Sequence, residues 1–211
     1  MVSFKKLAAA SVIPTLALAE DAPVVSNSPV DIKYLATFHG NNTNNVQGQV
    51  EFVGATNGST WVNVHFEGLP AAGGPFPYHI HQHQVPADGD CYAALGHLNP
   101  YNGSATAETN AGKEVGDLSG KHGPINGTTL HVSYIDRYVS LNSSDPAFAG
   151  NLSIVVHYAD NTRLACANIV REYTANNTRP SGSNSSSNAA GSNAANGVFI
   201  GAFVAGLSLL I

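Results

Sequence analysis

The stretch VQGQVEF, residues 46–52, alternates apolar and polar side chains along nearly its whole length. A period of two is typical of a β-strand with one face toward a core and the other toward solvent, because successive strand side chains point to opposite faces. A Gly- and Asn-containing segment, Gly54–Gly58, follows it and favours a turn. The stretch therefore predicts a half-buried strand of an antiparallel sheet.

Three further runs are rich in β-branched and aromatic residues and alternate more loosely: Trp61–Phe66, Leu130–Ile135 and Leu152–Tyr158. Segments rich in Gly, Asn and Pro separate such runs and predict loops: Gly54–Gly58, Gly68–Pro77 and Gly120–Gly127. No segment longer than a turn has the periodicity of an amphipathic helix. Short strands joined by long loops predict an all-β domain, either an antiparallel barrel or a sandwich.

Residues 1–19 have the layout of a secretory signal peptide. Lys5 and Lys6 form a short positive region, Leu7–Leu18 is apolar, and Ala17-Leu-Ala19 is a small-residue cleavage site. A short buried helix is the alternative, but the order of charge, apolar run and small residues favours a signal peptide. We expect the mature protein to begin at Glu20, with one domain over residues 20–178.

The other end of the chain has the composition of a GPI-anchor signal. Residues 179–197 are rich in Ser, Asn and Gly and predict a stalk without a packed core, and residues 198–211 form an apolar, uncharged tail. In such a signal the tail is removed and the lipid is attached to a small residue, here Ser187, Asn188 or Gly191. A tail-anchored protein, or a soluble one with an apolar last strand, is the alternative. The two ends together predict a secreted protein held at the cell surface, in the membrane or the cell wall.

Sequons for N-glycosylation agree with secretion. The Asn-x-Ser/Thr pattern begins at Asn41, Asn57, Asn102, Asn126, Asn142, Asn151, Asn176 and Asn184. The formal net charge is −5, and the few basic residues form no stripe, which argues against a nucleic-acid partner. The two cysteines, Cys91 and Cys166, most simply form one disulfide in an oxidising compartment, with two free thiols as the alternative.

Nine histidines are present, and three of them alternate in FPYHIHQH, residues 76–83. In a strand, His79 and His81 face the same way and can share one metal ion, whereas Pro86 and Asp88 suggest that the chain is already leaving the strand near His83. His97 starts a loop that a disulfide at Cys91 would hold, and His157 ends an apolar strand. The remaining histidines are interpreted as surface, loop or hydrogen-bonded residues: His39, His65, His122 and His131.

Seven short motifs occur in an order that resembles the copper/zinc superoxide dismutase family across roughly residues 30–173. They are NVQGQVEF (45–52), HIH (79–81), GDC (89–91), GHLNP (96–100), VGDLSG (115–120), VVHY (155–158) and RLAC (163–166). The resemblance implies an eight-stranded antiparallel Greek-key β-barrel. It also implies that the histidines of HIH, GHLNP and VVHY are the copper ligands: His79, His81, His97 and His157. Cys91 and Cys166 match the family's disulfide, and Arg163 matches the arginine that attracts and orients superoxide.

Two departures point to the fungal extracellular copper-only members of this family. Residues 98–113 contain no His or Cys, and Glu114 and Asp117 stand where the last zinc ligands would be, which leaves a poor zinc site. Residues 158–162 are too few for the family's long electrostatic loop. The resemblance thus implies one copper ion per subunit and no zinc. We expect Glu114 to accept a hydrogen bond from His97, and Asp117 to support the neighbouring ligand loop, with solvated loop acids as the alternative.

The resemblance implies that the chain converts superoxide to oxygen and hydrogen peroxide, with copper alternating between Cu(II) and Cu(I). We expect a monomer that protects the cell surface from external superoxide. A non-enzymatic copper-buffering protein would need the same histidines but not Arg163. A cell-wall glycoprotein that has lost the chemistry, and a copper/zinc enzyme with an unusual zinc site, are further alternatives.

Overall fold

A computed structural model describes residues 20–40 and 44–173. The predicted signal peptide, the stalk with its GPI candidates and the apolar tail lie outside these residues, as do the sequons at Asn41, Asn176 and Asn184. Among the helices of the described residues, none is long and apolar enough to cross a membrane.

The described residues form one curled antiparallel sheet of seven strands, in the order β4-β6-β7-β1-β2-β3-β5. The strands are β1 (Lys33–His39), β2 (Gln47–Gly54), β3 (Thr60–Glu67), β4 (Tyr78–His81), β5 (Leu130–Asp136), β6 (Ser153–His157) and β7 (Arg163–Glu172). The four predicted strand runs are confirmed as β2, β3, β5 and β6, and the all-β prediction is confirmed with them. The alternation of the opening stretch is also confirmed, since Val50 and Phe52 are fully buried while Gln49 faces outward.

The core lies on one face of the sheet and consists of aliphatic and aromatic side chains contributed by nearly every strand. Its fully buried members include Val50, Phe52, Val62, Phe66, Tyr78, Ile80, Ile154 and Ile169. Burying a side chain of this size stabilises the fold by about 1.5–3 kcal/mol. This packing holds β4 and β6 side by side, and three of the four candidate ligand histidines lie on those two strands: His79, His81 and His157.

The resemblance implies eight strands, and the described residues contain seven. The segment before β6 forms only an isolated bridge between Ser140 and Phe148. Its side chains compete with strand pairing, since Asn142 and Asp145 accept hydrogen bonds from backbone N–H groups two residues further on.

A short helix, α1 (Leu118–His122), overlaps the start of the segment Gly120–Gly127, which the sequence predicts to be a loop. The Asp117 side chain caps it by accepting a hydrogen bond from the Gly120 N–H, at 2.6 Å. The glycine of that turn is required, because a Cβ on Gly120 would lie 1.9 Å from Asp117 Oδ2. The prediction of a loop over Gly120–Gly127 was therefore wrong for residues 120–122. There the Asp117 cap stabilises a helical turn by more than the glycine destabilises it.

Candidate metal centre

Four histidines converge at one end of β4 and β6. His79 and His81 are two residues apart on β4, His157 ends the neighbouring strand β6, and His97 reaches the group through an isolated bridge to His81. Each of the four rings offers a nitrogen, and these nitrogens all lie within 4.8 Å of one another. Strands β4 and β6 are buried along their length, so the histidines are fixed by the core beneath them.

Hydrogen bonds at Nδ1 leave the Nε2 lone pair free on three of the rings. His81 Nδ1 donates to the Leu95 carbonyl at 2.8 Å, and His157 Nδ1 donates to the Asn161 carbonyl at 3.1 Å. His97 Nδ1 donates to the Glu114 carboxylate. When a histidine binds a metal through one ring nitrogen, a hydrogen bond at the other nitrogen fixes both its tautomer and its ring orientation. The Nε2 atoms of His81 and His157 then lie 3.1 Å apart.

His79 has the opposite arrangement. Its Nε2 is 3.4 Å from Asp117 Oδ1, and its Nδ1 is buried without a hydrogen-bond partner. An unpartnered buried polar atom is costly, so an orphaned ring nitrogen that points into a cluster of imidazoles is the arrangement expected of a metal ligand. The residues present therefore fit one metal ion held by His79 Nδ1 and by Nε2 of the other three rings.

Burial keeps three of the four rings neutral. It lowers the pKa of His79 to about 2 and that of His81 to about 3, and the pKa of His157 is also lowered, chiefly by burial. A neutral imidazole keeps its lone pair, which is the form that binds a metal ion. Imidazole suits several transition metals, copper among them.

Arg163 begins β7 directly opposite His157. Its guanidinium donates to the carbonyls of Cys91 and Leu95 and lies 4.9 Å from the centroid of the Tyr92 ring. The Leu95 carbonyl is thus shared between Arg163 and His81. A guanidinium carries five N–H donors, so donors remain that these two carbonyls do not use.

The predicted disulfide is present between Cys91 and Cys166, which are 75 residues apart. It joins β7 to the 3-10 turn Cys91–Ala94, whose backbone holds Arg163. The bridge therefore fixes the arginine relative to the histidines, as well as constraining the unfolded chain.

A buried ion pair that the sequence did not reveal supports the loop of Glu114 and Asp117. Lys121 Nζ lies 2.8 Å from Asp136 Oδ2 and donates to the Val115 carbonyl at 2.7 Å, and the side chains of the pair are 1% and 0% exposed. His122 Nε2 lies 2.9 Å from the same carboxylate oxygen. The pair ties α1 and the residue next to Glu114 to the end of β5.

The structure places the other histidines apart from the metal centre, as expected. Strand β4 ends at His81, and His83 is exposed beyond it. His122 is partly buried against Asp136, while His39, His65 and His131 are exposed.

Two polar side chains that contact Glu114 and the backbone of His97 were not predicted from the sequence. Asn99 Nδ2 lies 3.4 Å from Glu114 Oε1 and braces the loop through the Gly103 carbonyl at 2.9 Å. Gln82 donates to the His97 carbonyl at 3.0 Å. Asn99 lies within the GHLNP motif, which was the one available signal for it.

The sequons in the described residues lie at the surface, which glycosylation requires. Asn57, Asn102, Asn126 and Asn151 are exposed, and Asn142 is partly exposed.

Known proteins resemble the chain in both sequence and structure. A cell surface Cu-only superoxide dismutase 5 of Candida albicans is 46% identical over 157 residues, which cover 74% of this chain and 69% of that protein. A cell surface Cu-only superoxide dismutase of Arthroderma benhamiae is 29% identical over 182 residues, covering 71% of this chain and 49% of the relative. The solved structure of Candida albicans superoxide dismutase 5 in its Cu(II) form has a TM-score of 0.67 at 44% identity and covers 70% of this chain and 99% of its own.

The family model for copper/zinc superoxide dismutase matches residues 46–199, most of the chain. That range includes all four converging histidines, both cysteines and Arg163. On sequence, fold and this match, the chain belongs to the copper/zinc superoxide dismutase family.

Proposed function

We propose that the protein is a cell-surface superoxide dismutase that uses one copper ion, held by four imidazoles, and no zinc. The observation that carries the proposal is the convergence of His79 Nδ1 with Nε2 of His81, His97 and His157, beside an arginine at the start of β7. Both cell surface relatives described above are named Cu-only superoxide dismutases, which supports the same activity, cofactor and location here.

Bound copper supplies one-electron chemistry, oxidising one superoxide to O₂ and reducing the next, which with two protons gives H₂O₂. The protein holds the metal through imidazoles, which suit the copper oxidation states that the reaction needs. The hydrogen bonds from His81 and His157 to backbone carbonyls keep their Nε2 lone pairs aimed at one point. These hydrogen bonds would hold the rings of His81 and His157 in one orientation for copper in either oxidation state.

Glu114 orients the imidazole ring of His97. Its carboxylate accepts from His97 Nδ1, the nitrogen opposite the one offered to copper. Asp117 serves His79 and caps α1, so the two carboxylates are committed to different imidazoles. A zinc site needs its ligands to converge on one point, and this division of the two acids favours copper alone.

Arg163 supplies the positive charge that attracts the substrate. The protein is acidic overall, so a superoxide anion gains from a local cation beside the metal. The Cys91 and Leu95 carbonyls fix the guanidinium, and its charge contributes to the lowered pKa of His81 and His157, where burial is the larger cause. Its free N–H donors are the groups that would hold the anion next to the copper.

The ends of the chain support a secreted and anchored protein. We propose a signal peptide over residues 1–19, a GPI anchor near Ser187, Asn188 or Gly191, and a glycosylated monomer at the membrane or cell wall. An extracellular dismutase in that position would remove superoxide that arrives from outside the cell.

The test is superoxide dismutation by the secreted full chain, loaded with copper in zinc-free buffer and followed by pulse radiolysis. We expect fast turnover that zinc does not increase. Tight copper binding without turnover would overturn the proposal that the protein is an enzyme and would favour a copper-buffering protein. Arg163→Gln serves as the comparison, because it keeps the four histidines while removing the charge that only the enzyme requires.

A further inference from the structure

Two histidines that the metal centre does not use face each other on the outer surface of the sheet. His65 on β3 pairs directly with His131 on the edge strand β5. Their ring centroids are 5.3 Å apart and their planes meet at 34°. Both residues are exposed, so neither ring is explained by packing in the core.

The four-histidine cluster shows that two imidazoles with this centroid separation can bring their ring nitrogens close enough to share one metal ion. His81 and His157 also have ring centroids 5.3 Å apart, and their Nε2 atoms come within 3.1 Å of each other. Two nitrogens at that distance can bind one ion, since metal–imidazole bonds are about 2.0–2.1 Å long. Exposed side chains change rotamer in picoseconds to nanoseconds, so the rings of His65 and His131 can turn toward a shared ion while the ladder of β3 and β5 holds their backbones.

Glu67 offers a third donor on the same face, because it lies two residues after His65 in β3. Its Oε1 is 3.0 Å from His65 Nε2, and the two side chains are 63% and 46% exposed. Two imidazoles and one carboxylate, with water completing the coordination, suit a divalent transition metal. Among the divalent first-row metals such a set favours Cu(II).

We propose that His65, His131 and Glu67 form a peripheral Cu(II) site, separate from the four-histidine centre. Its donors are fewer and exposed, so it binds Cu(II) more weakly than the buried centre does. The site rests on its own geometry and does not depend on dismutase activity.

The test is a Cu(II) titration of the secreted full chain whose four-histidine centre has already been filled with copper. Calorimetry measures the further equivalents, and electron paramagnetic resonance detects nitrogen coupling to the added ion. We expect the wild-type chain to take up one weaker equivalent with imidazole nitrogen coupling. We expect His65→Gln and His131→Gln each to lose this equivalent while keeping dismutation unchanged. Glu67→Gln should weaken it.

His39→Gln is the matched control, because His39 is an exposed strand histidine outside both clusters. It should keep the second equivalent. Absence of that equivalent in the wild-type chain would overturn the proposal, as would its retention in both histidine variants. An unchanged affinity in Glu67→Gln would remove the carboxylate from the site.

Discussion

Lys121→Met removes the ammonium that joins α1 to β5 and to the loop beside Glu114. The variant leaves Asp136 fully buried, and it leaves the Val115 carbonyl without its donor. Removing one partner of a buried pair costs about 3–5 kcal/mol, because the other charge stays desolvated. His122 still contacts the carboxylate, so we expect a loss in unfolding free energy of about 3 kcal/mol, at the lower end of that range.

Urea denaturation of the metal-free chains, with the disulfide intact, measures this loss. Metal must be absent, since a ligand that binds only the folded state would mask part of the difference. The matched control is Lys33→Met, which removes an ammonium of the same type from Glu51 and Glu172 at the surface, where the lysine side chain is 36% exposed. An exposed pair is worth about 0–1 kcal/mol. Equal losses in the two variants would refute the claim that burial makes the Lys121–Asp136 pair important.

The Lys121 variant also tests the link to the metal centre. Its ammonium holds the carbonyl of Val115, the residue next to Glu114. We expect a loosened loop to change the Cu(II) paramagnetic resonance spectrum, whereas Lys33→Met should leave that spectrum as in the wild-type chain. An unaltered spectrum in Lys121→Met would mean that the pair only stabilises the fold.

Three further changes have defined outcomes. Glu114→Ala removes a charge-assisted hydrogen bond worth about 1.5–3 kcal/mol, so pulse radiolysis should find dismutation reduced about tenfold or more with copper still bound by mass spectrometry; full activity would make Glu114 a bystander. Arg163→Gln should lower the rate about tenfold and flatten its dependence on ionic strength, and an unchanged salt profile would contradict steering. The pKa of Asp136 is held below its usual value of 3.8, with Lys121 and a hydrogen bond from His122 outweighing burial, which acts in the opposite direction. Its contribution is therefore present above about pH 4 and lost as pH falls below it, so urea midpoints of wild type and Asp136→Asn should converge in acid; a constant gap would contradict this.

The strands with one solvent-facing side could be predicted from the sequence. Alternation identified β2 and β3, where apolar side chains enter the core every second residue. The same signal is blurred in β1, because Leu35 faces outward beside the buried Tyr34 and Ala36. An apolar residue on the outer face removes the contrast on which the pattern depends.

The candidate ligand histidines, and Glu114 as the partner of His97, could be predicted from their motifs, but the groups that orient His81 and His157 could not. The acceptors for His81 and His157 are the backbone carbonyls of Leu95 and Asn161. Every residue has a backbone carbonyl, so the amino-acid sequence does not show which carbonyl accepts the hydrogen bond. The Lys121–Asp136 pair depends on how α1 packs against the end of β5, which alternation does not specify. Distant contacts of this kind follow only from the assembled sheet.

We propose that four imidazoles bind one copper ion and that Glu114 and Asp117 bind no zinc. The most direct measurement is anomalous X-ray diffraction at the copper and zinc edges, on crystals of the chain incubated with both metals. We predict a dominant copper peak bonded to His79 Nδ1 and to Nε2 of the other three histidines, and no zinc peak at either carboxylate. Zinc bound between Glu114 and Asp117, or a dominant copper peak away from the four histidines, would contradict the claim.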